Sequence, residues 1–180
     1  MNRLFVALKL PDEVIENIVS MRDSINPEVA SDFRWEEKNK LHLTLKFLGD
    51  TEEEKNGNVI KILSQVTSSY SRISLEYDRF GFFMPRIFWF GLRAENALFE
   101  LVKDINNDLE ILGFQKENRN FKPHITLLRI KRNLSGEFVS AFRNFQVPGR
   151  KFYASEVALM KSKLLSGGSV YSEIERFNLT

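Results

Sequence analysis

Two histidines, the only ones in a chain of 180 residues, stand in the same short pattern. Residues 41–45 read LHLTL and residues 123–127 read PHITL, so each histidine is followed two positions later by a threonine and then by a leucine. Histidine is the side chain whose ordinary pKa lies near neutral pH, so it can both take up and release a proton there. The repeat therefore predicts a site that holds two imidazoles and two hydroxyls.

The first copy is predicted to lie on a β-strand over residues 41–48. Because alternate residues of a strand point to the same face, His42, Thr44 and Lys46 should share one face. The apolar residues at positions 41, 43, 45 and 47 should share the opposite face and be buried. The strand would thus present an imidazole, a hydroxyl and an ammonium group together.

The second copy is predicted to lie on a strand over residues 123–130. His124 and Thr126 should project together from it, in the same way as the first pair. Arg129 is an odd number of positions from His124, so in a regular strand its side chain would point to the opposite face. It reaches the same face only if a bulge or the end of the strand turns it round.

Two such strands, brought together, would suit the cleavage of a phosphate ester. One neutral imidazole would take a proton from the attacking water, and the other, as imidazolium, would give one to the leaving oxygen. The hydroxyls of Thr44 and Thr126 would hydrogen-bond the non-bridging oxygens, where charge is held in the transition state. Lys46 and Arg129 are the candidate cations for binding the phosphate.

Other readings of these residues compete with catalysis. A single His-x-Thr on a strand is more often a structural pair, and only the second copy makes catalysis the better interpretation. A metal site is disfavoured, because two histidines without a third ligand bind a metal poorly. The aromatic block over residues 80–90 and Trp35 could stack on bases, although core packing explains the block better. Arg129, Lys131 and Arg132 form either a solvated face or a contact with an RNA backbone.

Composition sets wider limits. Hydrophobic residues make up 43% of the chain and charged residues 28%, as in ordinary globular proteins. A net charge of +2 is too small to indicate nucleic-acid binding by itself, although it allows an anionic substrate. The chain has no cysteine, and no apolar run approaches the length of a membrane span. We expect a soluble, cytoplasmic protein.

Periodicity predicts the element order β-α-β-α-β-β-α-β-α-β-β. Thr51 and Glu54 resemble a capping box at the start of a helix that runs to about Ser68. An apolar stripe predicts a helix over residues 96–112, with Gly113 just beyond its end. Residues 152–165 read as one long strand. Short turns between several strands favour antiparallel sheets and an α+β class.

At this level of detail the chain resembles the 2H phosphoesterase superfamily, and in particular its RNA 2′,3′-cyclic phosphodiesterase branch, also called the 2′-5′ RNA ligase family. The resemblance covers nearly the whole chain. It rests on the paired motifs and on flanking segments: RLFVAL at 3–8, LHLTLKFLG at 41–49, PRIFW at 85–89, LGF at 112–114, RNFKPHITLLR at 119–129, LMKSKL at 159–164 and GSVY at 168–171.

The resemblance implies one bilobal domain over residues 1–180. Its two pseudo-symmetric lobes would each be an antiparallel sheet backed by helices, with the active site in the cleft between them. It also implies hydrolysis of RNA 2′,3′-cyclic phosphate ends, or of small cyclic nucleotides, to 2′-phosphates, without a metal or cofactor. By the family's usual assignment His42 is the proton donor and His124 the proton acceptor. Because the chain itself holds both halves of the site, we expect a monomer.

Two alternatives stay open at this point. Within the superfamily, the substrate could be another cyclic or 2′-5′-linked nucleotide, or the reverse chemistry could seal 2′-5′ RNA junctions. In a different class, the chain could be a module that binds RNA ends with little turnover.

Overall fold

The computed structural model describes residues 2–25, 33–84, 86–131, 133–166 and 168–180. Its strands are β1 (Asn2–Leu8), β2 (Leu43–Thr51), β3 (Ile73–Phe83), β4 (Ile87–Ala94), β5 (His124–Arg129), β6 (Lys151–Ala154), β7 (Glu156–Leu165) and β8 (Gly168–Asn178). Its α-helices are α1 (Asp12–Ile25), α2 (Asn56–Thr67), α3 (Asn96–Glu110) and α4 (Gly136–Asn144). Two short 3₁₀ helices lie at Lys38–Lys40 and Glu53–Lys55.

The eight strands form one sheet in the order β6-β3-β4-β5-β2-β1-β7-β8, and every neighbouring pair is antiparallel. The two motif strands, β2 and β5, lie at the centre, where Leu43 pairs with Ile125. Outward from this pair, one half-sheet continues through β1, β7 and β8 and the other through β4, β3 and β6. The predicted α+β class with antiparallel strands is confirmed, and the strands predicted for two lobes join in one continuous sheet.

The helices cover the apolar side of this sheet. α2 and α3 pack against each other, α3 contacts β2 and β4, and α4 contacts β3. The predicted stripe of α3 is buried, with Leu98, Leu101, Ile105 and Leu109 all at 0% exposure. Gly113 follows the helix with a φ of +86°, the left-handed conformation that glycine adopts most easily at a helix end. No helix in the described ranges is long and apolar enough to cross a membrane.

The prediction of one strand over residues 152–165 is wrong. The segment is divided at Ser155 into β6, which pairs with β3 at one edge of the sheet, and β7, which pairs with β1 in the other half. The carbonyl of Ser155 accepts a hydrogen bond from the amide of Leu179 at 2.8 Å. Because both pieces are rich in strand formers, periodicity carries no mark of the point where the chain crosses between the halves.

The predicted capping box at Thr51 is also wrong. Thr51 is the last residue of β2, where it pairs with Asn2, and its hydroxyl donates to the carbonyl of Gly49 at 3.1 Å. A 3₁₀ turn at Glu53–Lys55 then leads into α2. The sheet pairing with β1 thus determines the conformation of a residue whose type and spacing also fit a helix cap.

Candidate active site

The two motifs lie side by side on neighbouring strands. In an antiparallel pair with Leu43 opposite Ile125, His42 stands across from Thr126, and Thr44 stands across from His124. Leu43 and Ile125 are both at 0% exposure and point into the core. The two histidines and the two threonines are therefore on the opposite face, where all four are half-buried.

Both imidazoles are anchored in the same way. Nδ1 of His42 donates to the carbonyl of Lys40 at 2.6 Å, and Nδ1 of His124 donates to the carbonyl of Lys122 at 2.7 Å. Since a carbonyl can only accept, Nδ1 carries the hydrogen in each ring. Nε2 is consequently the nitrogen that can take or give a proton. In His42 it lies 3.1 Å from the hydroxyl of Thr44.

Aromatic side chains fix the ring of His42. Phe5 stacks on it with ring centroids 4.9 Å apart, and Tyr171 meets it edge-on at 5.5 Å. Phe5 comes from β1 and Tyr171 from β8, so three strands of one half-sheet hold this imidazole. The contacts restrict its rotation and remove water from much of its surface.

The ring of His124 has a matching aromatic wall in the other half-sheet. Phe83 meets it edge-on at 5.0 Å, and Trp89 lies 6.4 Å away. Trp89 in turn lies flat over two glycines of the sheet. A Cβ atom would come within 2.3 Å of the Trp89 ring at Gly81 and within 2.8 Å at Gly91, so any larger residue would displace it.

The surroundings of His42 disfavour its charged form. Burial lowers the pKa of His42, the hydrogen bond to Lys40 opposes this, and the positive charges of Arg129 and His124 lower it further. In the free protein at neutral pH, this imidazole is mainly neutral. Arg129 and His124 affect His42 through space, which fits their positions across the β2–β5 pair.

A bulge in β2 exchanges the faces that were predicted for the residues after the first motif. Thr44 and Lys46 pair with consecutive residues of β1, which leaves Leu45 as the extra residue. Leu45 and Lys46 are both turned to the core, and Phe47 emerges on the face of His42 with 70% exposure. The prediction that Phe47 is buried is wrong.

Lys46 is correspondingly displaced from the site. Its side chain is buried, and its Nζ donates to Oδ1 of Asn106 at 2.6 Å and to the carbonyl of Gln115 at 2.7 Å. Burial lowers the pKa of Lys46, while the carboxylates of Glu117 and Glu110 act in the opposite direction. The prediction that Lys46 shares the face of His42 is wrong, because the bulge turns its side chain towards α3.

A bulge at the same position of the second motif turns Arg129 towards the site. Thr126 and Leu128 pair with consecutive residues of β4, so Leu127 is the extra residue. This is the bulge that Arg129 needs in order to reach the face of His124. Nε of Arg129 lies 3.3 Å from Oε1 of Glu36, and the amide of Glu36 donates to the carbonyl of Leu127 at 2.9 Å. Glu36 thus both closes the bulge and holds the guanidinium.

The aromatic block over residues 80–90 serves two purposes. Core packing is confirmed for Phe80, Phe88 and Phe90, which are at most 3% exposed. Phe83 and Trp89 alternate with them and form the wall beside His124. The sequence did not separate these two sets, since six of the eleven positions are aromatic and they fall on both faces of the strands.

Among the described residues, the others considered as possible RNA contacts do not gather around the two histidines. Trp35 packs on Phe138 and Phe88, in keeping with a role in the core. Lys131 is exposed next to Arg129, and Arg132 lies outside the described residues. Glu36 was missed, because nothing in its sequence context distinguishes it from other acidic residues in a polar turn.

The assembled site contains two imidazoles, two hydroxyls and a guanidinium on one face of the central strand pair. Across the described ranges, no three histidine, cysteine, aspartate or glutamate side chains are grouped so that they could hold a metal ion. The arrangement offers paired proton transfer together with hydrogen-bond donors for an anion.

Comparisons with known proteins relate this arrangement to a described family. The sequence matches the family model LigT like Phosphoesterase in two segments, residues 8–89 and 91–171, each of which contains one motif. A protein of Archaeoglobus fulgidus named RNA 2′,3′-cyclic phosphodiesterase is 31% identical over 182 residues, which cover 97% of this chain and 99% of that protein.

Solved structures share the fold over almost the whole chain. The crystal structure of TT0787 of Thermus thermophilus has a TM-score of 0.80 at 26% identity, with coverage of 98% of this chain and 97% of that one. The crystal structure of Escherichia coli LigT complexed with 3′-AMP has a TM-score of 0.77 at 27% identity, with coverage of 99% and 98%.

Proposed function

The chain belongs to the LigT-like phosphoesterase family, and we propose that it hydrolyses 2′,3′-cyclic phosphates at RNA ends to 2′-phosphates by acid–base catalysis with His42 and His124. The activity is supported by relatives named RNA 2′,3′-cyclic phosphodiesterase at about 30% identity over nearly the full length. The observation that carries the mechanism is the cross-strand pairing of the two motifs, with the Nδ1 of both imidazoles anchored on carbonyls.

In this mechanism Nε2 of His124 accepts a proton from the attacking water, whose oxygen forms a bond to phosphorus. The bond from phosphorus to O3′ breaks, and Nε2 of His42 gives its proton to that leaving oxygen. The product carries a 2′-phosphate and a free 3′-hydroxyl. The roles of the two histidines follow the family's usual assignment, and because Nδ1 is held by a carbonyl in each ring, Nε2 is the nitrogen left for proton transfer.

The other polar groups would bind the phosphate itself. The hydroxyls of Thr44 and Thr126 stand beside the two imidazoles and would donate to the non-bridging oxygens. Arg129 would keep Nε on Glu36 and offer its terminal nitrogens to the same anion. No step of this scheme requires a metal ion.

The donor role of His42 needs its charged form, which the free protein disfavours. A bound cyclic phosphate carries one negative charge, and such a charge beside the ring stabilises the imidazolium. Substrate binding would therefore raise the pKa of His42 and load it with the proton that it later donates. His124 would have to be neutral in the same complex in order to accept the proton of the water.

The pH dependence of the reaction follows from the different protonation states that the two roles require. We expect kcat/KM to be bell-shaped, because activity needs one charged and one neutral imidazole. The acid limb should have its midpoint below about 6.5, the ordinary histidine value, since burial lowers the pKa of His42. An initial-rate profile measured from pH 4 to pH 9 checks this. A flat profile, or an acid limb above that value, would contradict it.

The threonines are expected to act in catalysis rather than in folding. Thr44→Val and Thr126→Val each remove one hydroxyl at constant volume, and each should lower kcat by about 10-fold through the loss of a donor to the phosphate. Thermal unfolding should change little, because both residues are half-buried on the open face of the sheet. Wild-type rates in both variants would show that the two hydroxyls have no role in catalysis.

Phe47 would bind the base of the terminal nucleoside. It is 70% exposed, lies on the face of His42, and contacts Phe5 at 6.2 Å, which in turn stacks on that histidine. With the phosphate held between the two histidines, the base of the nucleoside would be within reach of this exposed ring. Since every base has a flat face, stacking on Phe47 would discriminate little among the four bases.

We expect Phe47→Ala to raise KM for nucleoside 2′,3′-cyclic phosphates by roughly 5- to 30-fold, the loss of one base-stacking contact. Phe99→Ala is the matched control, because Phe99 is a partly exposed phenylalanine on α3, away from the motif face. If both variants have the wild-type KM, the base does not rest on Phe47.

The function is tested by incubating the protein with adenosine 2′,3′-cyclic phosphate in EDTA and identifying the product. We expect turnover to the 2′-phosphate. A 3′-phosphate would contradict the direction of ring opening, and loss of activity in EDTA would contradict the metal-free mechanism. Binding without turnover would leave the chain as an RNA-end binding module. A monomeric state and a cytoplasmic location stay predictions from the sequence.

A further inference from the structure

A cavity of about 320 Å³ opens beside Arg129. It is bounded by the segment over residues 33–40, by the end of β5 and by the tip of the β7–β8 hairpin. Because β2 and β5 are antiparallel, the residues that follow each motif run in opposite directions. Phe47 and Arg129 therefore lie at opposite ends of the paired motifs, and the cavity adjoins the end that is remote from Phe47.

The charge of the cavity favours an anion. Of the two carboxylates in its wall, Glu36 pairs with Arg129 at 3.3 Å and Glu37 with Lys40 at 3.0 Å. The wall also contains Arg34 and Lys131, which are exposed. Neither of these two cations forms an ion pair with any residue that the structure describes. Two positive charges are thus left for a ligand.

A terminal nucleotide whose base lies on Phe47 would extend from there towards this cavity. In a ribose 2′,3′-cyclic phosphate the base leaves the ring at C1′ and the 5′ carbon leaves it at C4′, on opposite sides of the edge that carries the phosphate. A nucleoside whose base stacks on Phe47, with its phosphate between the histidines, therefore directs its 5′ carbon away from Phe47. The rest of an RNA strand is attached at that carbon.

We propose that the cavity binds the phosphodiester and the nucleoside that precede the terminal nucleotide, so that the protein acts on oligonucleotide ends in preference to mononucleotides. This inference rests on the proposed function. Arg34 and Lys131 hold the internal phosphodiester. The side chain of Leu164, 74% exposed at the hairpin tip, packs against the preceding sugar or base, and Ser169 lies beside it in the cavity wall. The volume is at the lower end of the range for ligand pockets and fits about one nucleotide.

The test compares three substrates that share the same terminal cyclic phosphate. These are adenosine 2′,3′-cyclic phosphate, the dinucleotide with a normal internal phosphodiester, and the same dinucleotide with a neutral methylphosphonate in its place. We expect kcat/KM of the charged dinucleotide to exceed that of the mononucleotide by about 10-fold, the size of one charge-assisted contact. The neutral dinucleotide should lose most of this advantage.

Variants connect the advantage to the cavity. In Arg34→Ala and Lys131→Ala, the ratio of kcat/KM for the charged dinucleotide to that for the mononucleotide should fall roughly 3- to 10-fold. In Lys61→Ala, an exposed lysine on α2 outside the cavity, the ratio should be that of the wild type. For the wild type, added salt should weaken the apparent affinity for the charged dinucleotide more steeply than for the mononucleotide, by a logarithmic slope of about 0.7.

The two proposals fail in different ways. Absence of turnover on all three substrates would overturn the proposed function itself. Turnover with equal kcat/KM on the mononucleotide and the dinucleotide would overturn the cavity inference and leave the proposed function standing. A ratio that is unchanged in both cavity variants, including the case in which both substrates are impaired equally, would also overturn it, because these cations would then not contact the internal phosphodiester.

Discussion

Replacing His42 or His124 by alanine is expected to lower kcat by at least about 10²-fold, the usual cost of losing a general acid or base. Each imidazole is anchored through Nδ1 and has Nε2 left for proton transfer, so each variant removes one of the two proton-transfer groups of the site. The chain has no third histidine to replace either of them. Initial rates on a nucleoside 2′,3′-cyclic phosphate measure the effect.

Asparagine at the same positions gives the matched control. Its amide nitrogen can occupy the place of Nδ1 and donate to the carbonyl of Lys40 or Lys122, while Nε2 is lost. If the imidazoles transfer protons, His42→Asn and His124→Asn should be as inactive as the alanine variants, although their folds are better preserved. Activity that returns in the asparagine variants would show that the histidines only brace the strands.

Lys46→Met is expected to lower the free energy of unfolding by about 2–4 kcal/mol. The variant keeps the length of the buried side chain but removes the donor to Asn106 and to the carbonyl of Gln115, which are left without their charged partner. These contacts connect β2 with α3 and with the loop that leads to the second motif. Urea denaturation followed by circular dichroism measures the change.

The matched control for this variant is Lys61→Met, in which the replaced lysine is exposed on α2. Its free energy of unfolding should stay within about 0.5 kcal/mol of the wild-type value, as is usual for surface substitutions. Unchanged stability in Lys46→Met combined with a raised KM would contradict the structural role. That result would return Lys46 to the substrate site predicted from strand parity.

The sequence was sufficient for the parts of the site that depend on a simple alternation. His42 with Thr44, and His124 with Thr126, share a face because only one residue separates the members of each pair. The α+β class and the antiparallel pairing followed from short turns between strand-forming runs. Such features depend on neighbouring residues, and local patterns report them well.

What the sequence did not contain was the bulge after each motif. One extra residue, Leu45 in β2 and Leu127 in β5, exchanges the faces of the residues that directly follow it. It moves Lys46 into the core and brings Phe47 and Arg129 out beside the histidines. Leucine is compatible with a regular strand and with a bulge, so no residue type marks the change.

The pairing of the two halves was equally out of reach of local patterns. The motifs are separated by about eighty residues, and only the register of Leu43 with Ile125 brings them together. The break at Ser155 has the same origin, since it depends on which distant strand each piece joins. Contacts of this kind are set by the packing of the whole sheet.

The central claim is that His124 takes a proton from the attacking water and that His42 gives a proton to the leaving O3′ of the same phosphate. The most direct measurement uses a nucleoside 2′,3′-cyclic phosphate in which sulfur replaces O3′, because a thiolate leaves without needing a proton. The wild type and the two asparagine variants are compared on this substrate and on its oxygen parent. His42→Asn should recover most of its lost rate with the sulfur substrate, whereas His124→Asn should stay impaired on both. Equal losses for both variants on both substrates would contradict the assignment of His42 as the acid and His124 as the base.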